Sequence, residues 1–290
     1  MNYLENFMGY LQSEGKKEHT IKSYRSDLLQ FTHWLQKTGA GQDLEPSALT
    51  QLNIAKYKIY MISDLKRQPS GINRALSAIG AFCEWAQNDG IITENPAIRI
   101  HQTKAMKKPP KVLSDVEIDR LRGIFHQSDN LRDIALFELM LGAGLKLNEV
   151  ESLQLTDVEV NAIRGTVTVR QAGTIKLRQV PLNNETRQAL VKYLEIRKED
   201  DDALFLSQKG GGLTANAIWK IVKKYGDAAG FEELSPFTLR HTFGAMLVRK
   251  YNVDIGTVAS LMGHENIQTT VNYCRTGSDD IMHVIENLPK

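Results

Sequence analysis

This sequence predicts a mainly helical protein with one small antiparallel β-sheet in its C-terminal part, and three observations carry that prediction. Apolar residues keep helical spacing through the first hundred positions, with no strand-like alternation. Alternation appears only between residues 166 and 182, and helical patterning returns from residue 213 onward. At 290 residues the chain is long enough for two separate cores.

Leu4, Phe7, Met8 and Leu11 trace the stripe of a first helix, and Tyr24, Leu28, Phe31 and Leu35 that of a second, with Thr20 placed to cap it. A third apolar run falls at Ile54–Met61 and a fourth at Ile72–Trp85, closed by the turn signal Asn88-Asp-Gly90. Residues 102–111 (QTKAMKKPPK) read as a linker, because two prolines break helix and four lysines, Lys104, Lys107, Lys108 and Lys111, keep it solvated. A small all-helical domain over 1–101 and a larger domain over 112–290 follow. Ser114-Asp-Val-Glu117 is a capping box that opens the next helix. A buried helix over Asp133–Leu141 runs into Gly142-Ala-Gly144. Thr166–Arg170 and Lys176–Leu182 are the two strands expected around a glycine-containing turn. Helices then continue to the end, broken at Gly230, Ser235-Pro236 and Gly263.

Composition narrows the class of function. Hydrophobic residues at 42% and charged residues at 24% are those of an ordinary globular protein. The first residues lack the pattern of a signal peptide, and no apolar run reaches the roughly 18 residues of a membrane span. Cys83 and Cys274 make no disulfide framework and have no metal-ligand spacing, so a reduced, cytoplasmic protein without a metal is expected. Residues 1–111 hold 15 Lys+Arg against 10 Asp+Glu, while the remainder holds 21 against 24. A basic arm on a near-neutral body suits a protein that grips phosphate with one part.

The chemistry is concentrated between residues 237 and 273. Arg240, His264 and Tyr273 lie on segments that otherwise read as packed helix. A guanidinium, an imidazole and a phenol together are what attack on a phosphodiester requires: one neutralises phosphate oxygens, one handles a proton, and one is the nucleophile.

Three segments, Phe237-Thr-Leu-Arg240-His241-Thr-Phe243-Gly244, Met262-Gly263-His264 and Thr270-Val-Asn-Tyr273, resemble the tyrosine site-specific recombinases, the phage-integrase and Xer-like family. The family's signature reads H-x-L-R-H-x-F-A, then L-G-H, then T-x-x-Y. The resemblance covers nearly the whole chain and implies a two-domain clamp around duplex DNA, with a helical core-binding (SAM-like) domain and a catalytic domain. It implies that Tyr273 attacks the scissile phosphate to form a 3′-phosphotyrosyl bond and free a 5′-hydroxyl, without ATP, metal or other cofactor. Arg240 is then the phosphate-binding arginine and His264 a phosphate donor. Glu149 is an orienting carboxylate, and His241 takes a position that is usually structural. The implied partners are a double-stranded recombination site, a homotetramer spanning two sites (one dimer on each), and possible accessory DNA-binding proteins. The setting is cytoplasmic and nucleoid-associated, in integration, excision or resolution of a mobile element or replicon. A tail over Asp279–Leu288, with an apolar stripe at Ile281, Val284, Ile285 and Leu288, has the composition of a helix in a groove: it matches the family's segment that docks on a neighbouring protomer, or it packs onto its own domain.

Three positions depart from the pattern. The family's G-L-R-x-x-E-L segment reads Gly144-Leu145-Lys146-Leu147-Asn148-Glu149-Val150 here, so Lys146 offers a point charge where a two-pronged guanidinium is usual. Phe237 replaces the first histidine of the second motif and carries no proton. The hairpin lysine of a G-K-G-x-K-x-R turn, aligned back from Val180-Pro-Leu182, falls on Gly173, leaving Lys176 as the nearest candidate acid. Losing one oxyanion-type donor costs on the order of 10²–10³ in rate, and an acid/base helper roughly 10²–10⁴. Weakened recombinase chemistry is one expectation. A catalytically impaired, integrase-like DNA-binding protein is the alternative, and a monomeric topoisomerase or phosphodiesterase a further rival that the tail and the small domain disfavour.

Overall fold

The computed structural model describes residues 2–104, 111–170, 177–198, 201–271 and 273. It separates into two compact units, Met1–Lys108 and Pro109–Lys290.

The first unit is four helices: α1 (Tyr3–Ser13), α2 (Glu18–Thr38), α3 (Gln51–Ser63) and α4 (Pro69–Asn88). Each boundary has a local cause. The Asn2 and Thr50 side chains cap α1 and α3, Pro69 sits in the first turn of α4, and Gly39 closes α2 in the left-handed conformation. Thr20 does not cap α2: the helix starts two residues earlier, at Glu18, after an extended Lys17 that makes no side-chain cap bond. Glu18 favours the positive end of the helix and pairs with Lys22 one turn on. Phe7, Phe31, Tyr57, Phe82 and Trp85 fill the core, with Phe7 edge-on to Phe82 at 5.3 Å. Asp27, fully buried on α2, is held by a two-point bond from Arg74 on α4 (2.7 and 3.1 Å).

The second unit is built on α5 (Asp115–Gln127), α6 (Leu131–Ala143) and α7 (Leu147–Ser152), followed by β1 (Val158–Val160), β2 (Gly165–Arg170) and β3 (Leu177–Pro181). Next come α8 (Asn184–Ile196), α9 (Ala215–Ala228), α10 (Pro236–Ala245), a π-turn over Met246–Lys250, α11 (Ile255–Met262) and α12 (Gln268–Val271). The capping box at Ser114 and Glu117 forms in full. Helix α6 is buried almost all round because its apolar residues do not confine themselves to one stripe. The ring of Phe125 stacks between Phe137 (4.3 Å) and Tyr225 (4.0 Å), joining α5, α6 and α9.

The sheet is antiparallel in the order β1-β2-β3, with Val167 of β2 opposite Val180 of β3. Two strands were expected and three form. β1 is too short to show alternation, yet the Asn161 side chain accepts from the backbone of Ile163 and Arg164 and folds Val158–Val160 back onto β2. None of the helices among the described residues is long and apolar enough to cross a membrane. Lys107, Lys108, Lys176, Cys274 and the apolar tail lie outside the described residues.

Candidate active site

Arg240 lies on the second turn of α10, which Ser235 caps and Pro236 opens. Its guanidinium is buried and donates to Gly144 O at the end of α6 and to Met262 O at the end of α11, both at 2.6 Å. Two helix C-termini thus hold the cation with their negative ends, and a guanidinium has further N–H donors to offer a phosphate. Burial lowers the affinity of Arg240 for its proton, and Glu149, 3.9 Å away, opposes that effect.

Lys146 precedes α7, and its Nζ donates to Gly263 O at 3.1 Å. Glu149 is buried and is the hub of the site. It accepts from the Lys146 backbone N–H at 2.8 Å and stands 3.9 Å from Lys146 Nζ. Arg178 of β3 grips it at both oxygens, 2.9 and 2.8 Å. Burial pushes the Glu149 carboxyl up, but the Arg178 and Lys146 bonds outweigh it and hold it below the usual carboxylate range. Three cations around one carboxylate leave the site positive, as an anion site must be.

Arg178 was not among the candidates read from the sequence. Its signal was present: the arginine that closes the G-K-G-x-K-x-R turn falls on it when the motif is aligned on Val180-Pro-Leu182. It also donates to Leu261 O at 2.8 Å, and Gly263 packs directly on its guanidinium. Gly263 has φ +61, and a Cβ there would lie 2.7 Å from an Arg178 nitrogen, so the Gly-His step needs its glycine twice over.

His264 follows that turn, with Nδ1 2.8 Å from Thr270 Oγ1. Burial, with Arg240 and Lys146 nearby, lowers its pKa to about 4, so the imidazole is neutral near pH 7. Tyr273 is 1% exposed, and its ring stacks with that of His264 at 6.2 Å between centroids. The ring lies against Gly244, where a Cβ would come within 2.6 Å of it; the family pattern has alanine at this place. Arg249, carried by the π-turn, donates to the Tyr273 carbonyl at 2.8 Å, a second contact that sequence reading missed. The Tyr273 hydroxyl is 2.9 Å from His241 Nδ1. Burial raises the phenol's pKa, against the pull of Arg240.

The fold therefore gathers Arg240, Lys146, Glu149, His264, Tyr273 and His241 in one region. Phe237, on the first turn of α10, is 59% exposed and makes none of these contacts. Lys104 is exposed in the first unit; Lys111, in the second, lies 5.1 Å over the Phe231 ring and 3.7 Å from Glu117. Among the described residues no cluster of His, Cys, Asp and Glu could hold a metal.

Residues 111–278 match the Phage integrase family, and residues 3–92 match the Phage integrase, N-terminal SAM-like domain. Tyrosine recombinase XerC of Herpetosiphon aurantiacus is 30% identical over 286 residues, covering 95% of this chain and 91% of the relative. Tyrosine recombinase XerD of Neisseria meningitidis serogroup B is 31% identical over 277 residues, covering 93% and 91%. In fold, the chain is similar to a lambda integrase dimer bound to a COC′ core site, with a TM-score of 0.75, 17% identity and 94% of each chain covered.

Proposed function

Since this chain belongs to the phage integrase family of tyrosine recombinases and so cuts and rejoins DNA, we propose that it does so with Tyr273 as nucleophile on a duplex recombination site. The observation that carries the assignment is the gathering of the buried Tyr273 phenol with Arg240, Lys146 and His264 in one positively charged region. In this reading the Tyr273 oxygen attacks the scissile phosphorus, and the bond to the 5′-oxygen breaks. Arg240, Lys146 and His264 stabilise the charge that builds on the non-bridging oxygens. Glu149 and Arg178 act by holding Lys146 and Arg240 in place. Because energy is kept in the phosphotyrosyl bond, rejoining needs no external energy source.

DNA is bound by both units, the basic first unit and Lys104, Lys107, Lys108 and Lys111 contributing phosphate contacts. The lambda integrase relative is a dimer on its core site, and the same arrangement, doubled across two sites, is our reading here. An apolar groove of about 420 Å³, lined by Leu141, Val180, Phe243, Met246, Leu247 and Leu261, matches the chemistry of the Ile281–Leu288 stripe and is an acceptor for a neighbour's tail. The test is incubation with nicked duplexes that tile the DNA flanking the gene, followed by a denaturing gel. A protein band shifted by covalent DNA is expected on one of them. Binding without such a band supports the alternative of an impaired DNA-binding protein.

Lys146 and Phe237 are proposed to slow the chemistry. Lys146→Arg with Phe237→His then raises single-turnover cleavage, by up to about 10² for each restored helper, with DNA affinity nearly unchanged. Equal or slower cleavage by the double variant would show that the site uses a different set of helpers.

A further inference from the structure

We propose that His241 accepts the phenolic proton of Tyr273 during strand cleavage and returns it during rejoining. The proposal rests on the reading of Tyr273 as nucleophile. Among the described residues, His241 is the side chain within hydrogen-bond distance of that oxygen, at 2.9 Å to Nδ1. Phe237, where a proton carrier is missing, lies one helical turn earlier on the same face of α10, so the histidine occupies the next position along that face. The ring is partly buried, meeting Tyr273 edge-on at 5.7 Å.

The groups that face His241 are Arg240 on its own helix, Tyr273, and His264 past the end of α11; Lys146, Arg178 and Glu149 stand behind them. Burial, and then Arg240, hold the His241 pKa below its ordinary value of 6.5. The ring is therefore neutral near pH 7, and with its proton on Nε2 it presents Nδ1 as an acceptor. As the Tyr273 oxygen bonds to phosphorus, its O–H bond breaks and the proton moves to Nδ1, giving an imidazolium. The 5′-oxygen leaves with the electron pair of its bond to phosphorus and takes a proton from water or a lysine. In rejoining, the 5′-hydroxyl attacks the phosphotyrosine and gives its proton back to the water or lysine that supplied it, while the imidazolium reprotonates the departing phenolate.

The experiment compares the parent with His241→Ala and His241→Gln on the flanking-DNA duplex that the parent cleaves. Each duplex is made with an ordinary and with a 5′-phosphorothiolate scissile bond, whose sulfur leaves without a proton. Both variants should bind DNA like the parent and cleave about 10²–10⁴ more slowly, on the thiolate duplex as well. The parent's rate should fall as pH drops below the ordinary histidine range, and the variants should lack that fall. Glutamine keeps a hydrogen-bond acceptor without basicity, so it separates proton transfer from a structural role if the alanine variant misfolds. In the DNA-free protein, ¹⁵N spectra of labelled histidine should show Nδ1 of His241 unprotonated at pH 7 and shifted by Tyr273→Phe. Cleavage within a few-fold of parent, full recovery on the thiolate duplex, or a protonated Nδ1 would each overturn the proposal. An adduct that survives Tyr273→Phe would instead sink the choice of nucleophile.

Discussion

Tyr273→Phe is expected to leave no covalent protein–DNA adduct, with duplex affinity close to that of the parent. The substitution removes one oxygen from a side chain that is 1% exposed. The ring keeps its contacts with Gly244 and His264, so the fold should hold. With Tyr273 as the proposed nucleophile, deleting it from residues that act as a unit costs on the order of 10⁶ in rate. The Tyr273 hydroxyl has His241 as its hydrogen-bond partner, so the variant loses one bond of about 1 kcal/mol, and its thermal stability should change little. Measurement of adduct on the nicked duplex, binding at equilibrium and melting temperature distinguishes these outcomes. A Phe variant that still captures DNA would move the nucleophile elsewhere.

Glu149→Ala should be the most damaging change that touches no reacting atom. The carboxylate is 6% exposed and carries the two-point bond from Arg178, the Lys146 backbone N–H and the nearby Arg240. Removing one member of such a buried pair leaves the others charged and unpaired, at a cost of about 3–5 kcal/mol. Cleavage should collapse with it, because Arg178 loses its two-point partner, the Lys146 backbone N–H its acceptor and Arg240 its nearest counter-charge. The same network makes stability depend on pH. The folded Glu149 carboxyl titrates below its ordinary value, so its contribution is complete above that value and is lost as pH falls through the lowered one. Glu149→Gln should remove that part of the acid sensitivity of the second unit. Chemical denaturation of parent and variant at pH 7 and in the acid range checks both statements, and an unchanged acid profile would refute the linkage.

The helical stripes of the first unit were legible because amphipathic spacing survives in a single sequence: Leu4, Phe7, Met8 and Leu11 are all buried in one core. The start of α2 was not, because the helix opens on Glu18 with no side-chain cap to mark it. β1 escaped because three residues are too few for a period of two. By itself the sequence determined the family, the helical class and the residue types of the site, since a guanidinium, an imidazole and a phenol announce their chemistry wherever the chain places them. Only the tertiary structure decided who touches whom. Arg178 reaches Glu149 across 29 positions, Arg240 reaches Gly144 across 96, and Arg249 and His241 reach Tyr273 across 24 and 32. No local pattern encodes such pairings, because they depend on how the ends of α6 and α11 pack against α10, and packing is a property of the whole fold.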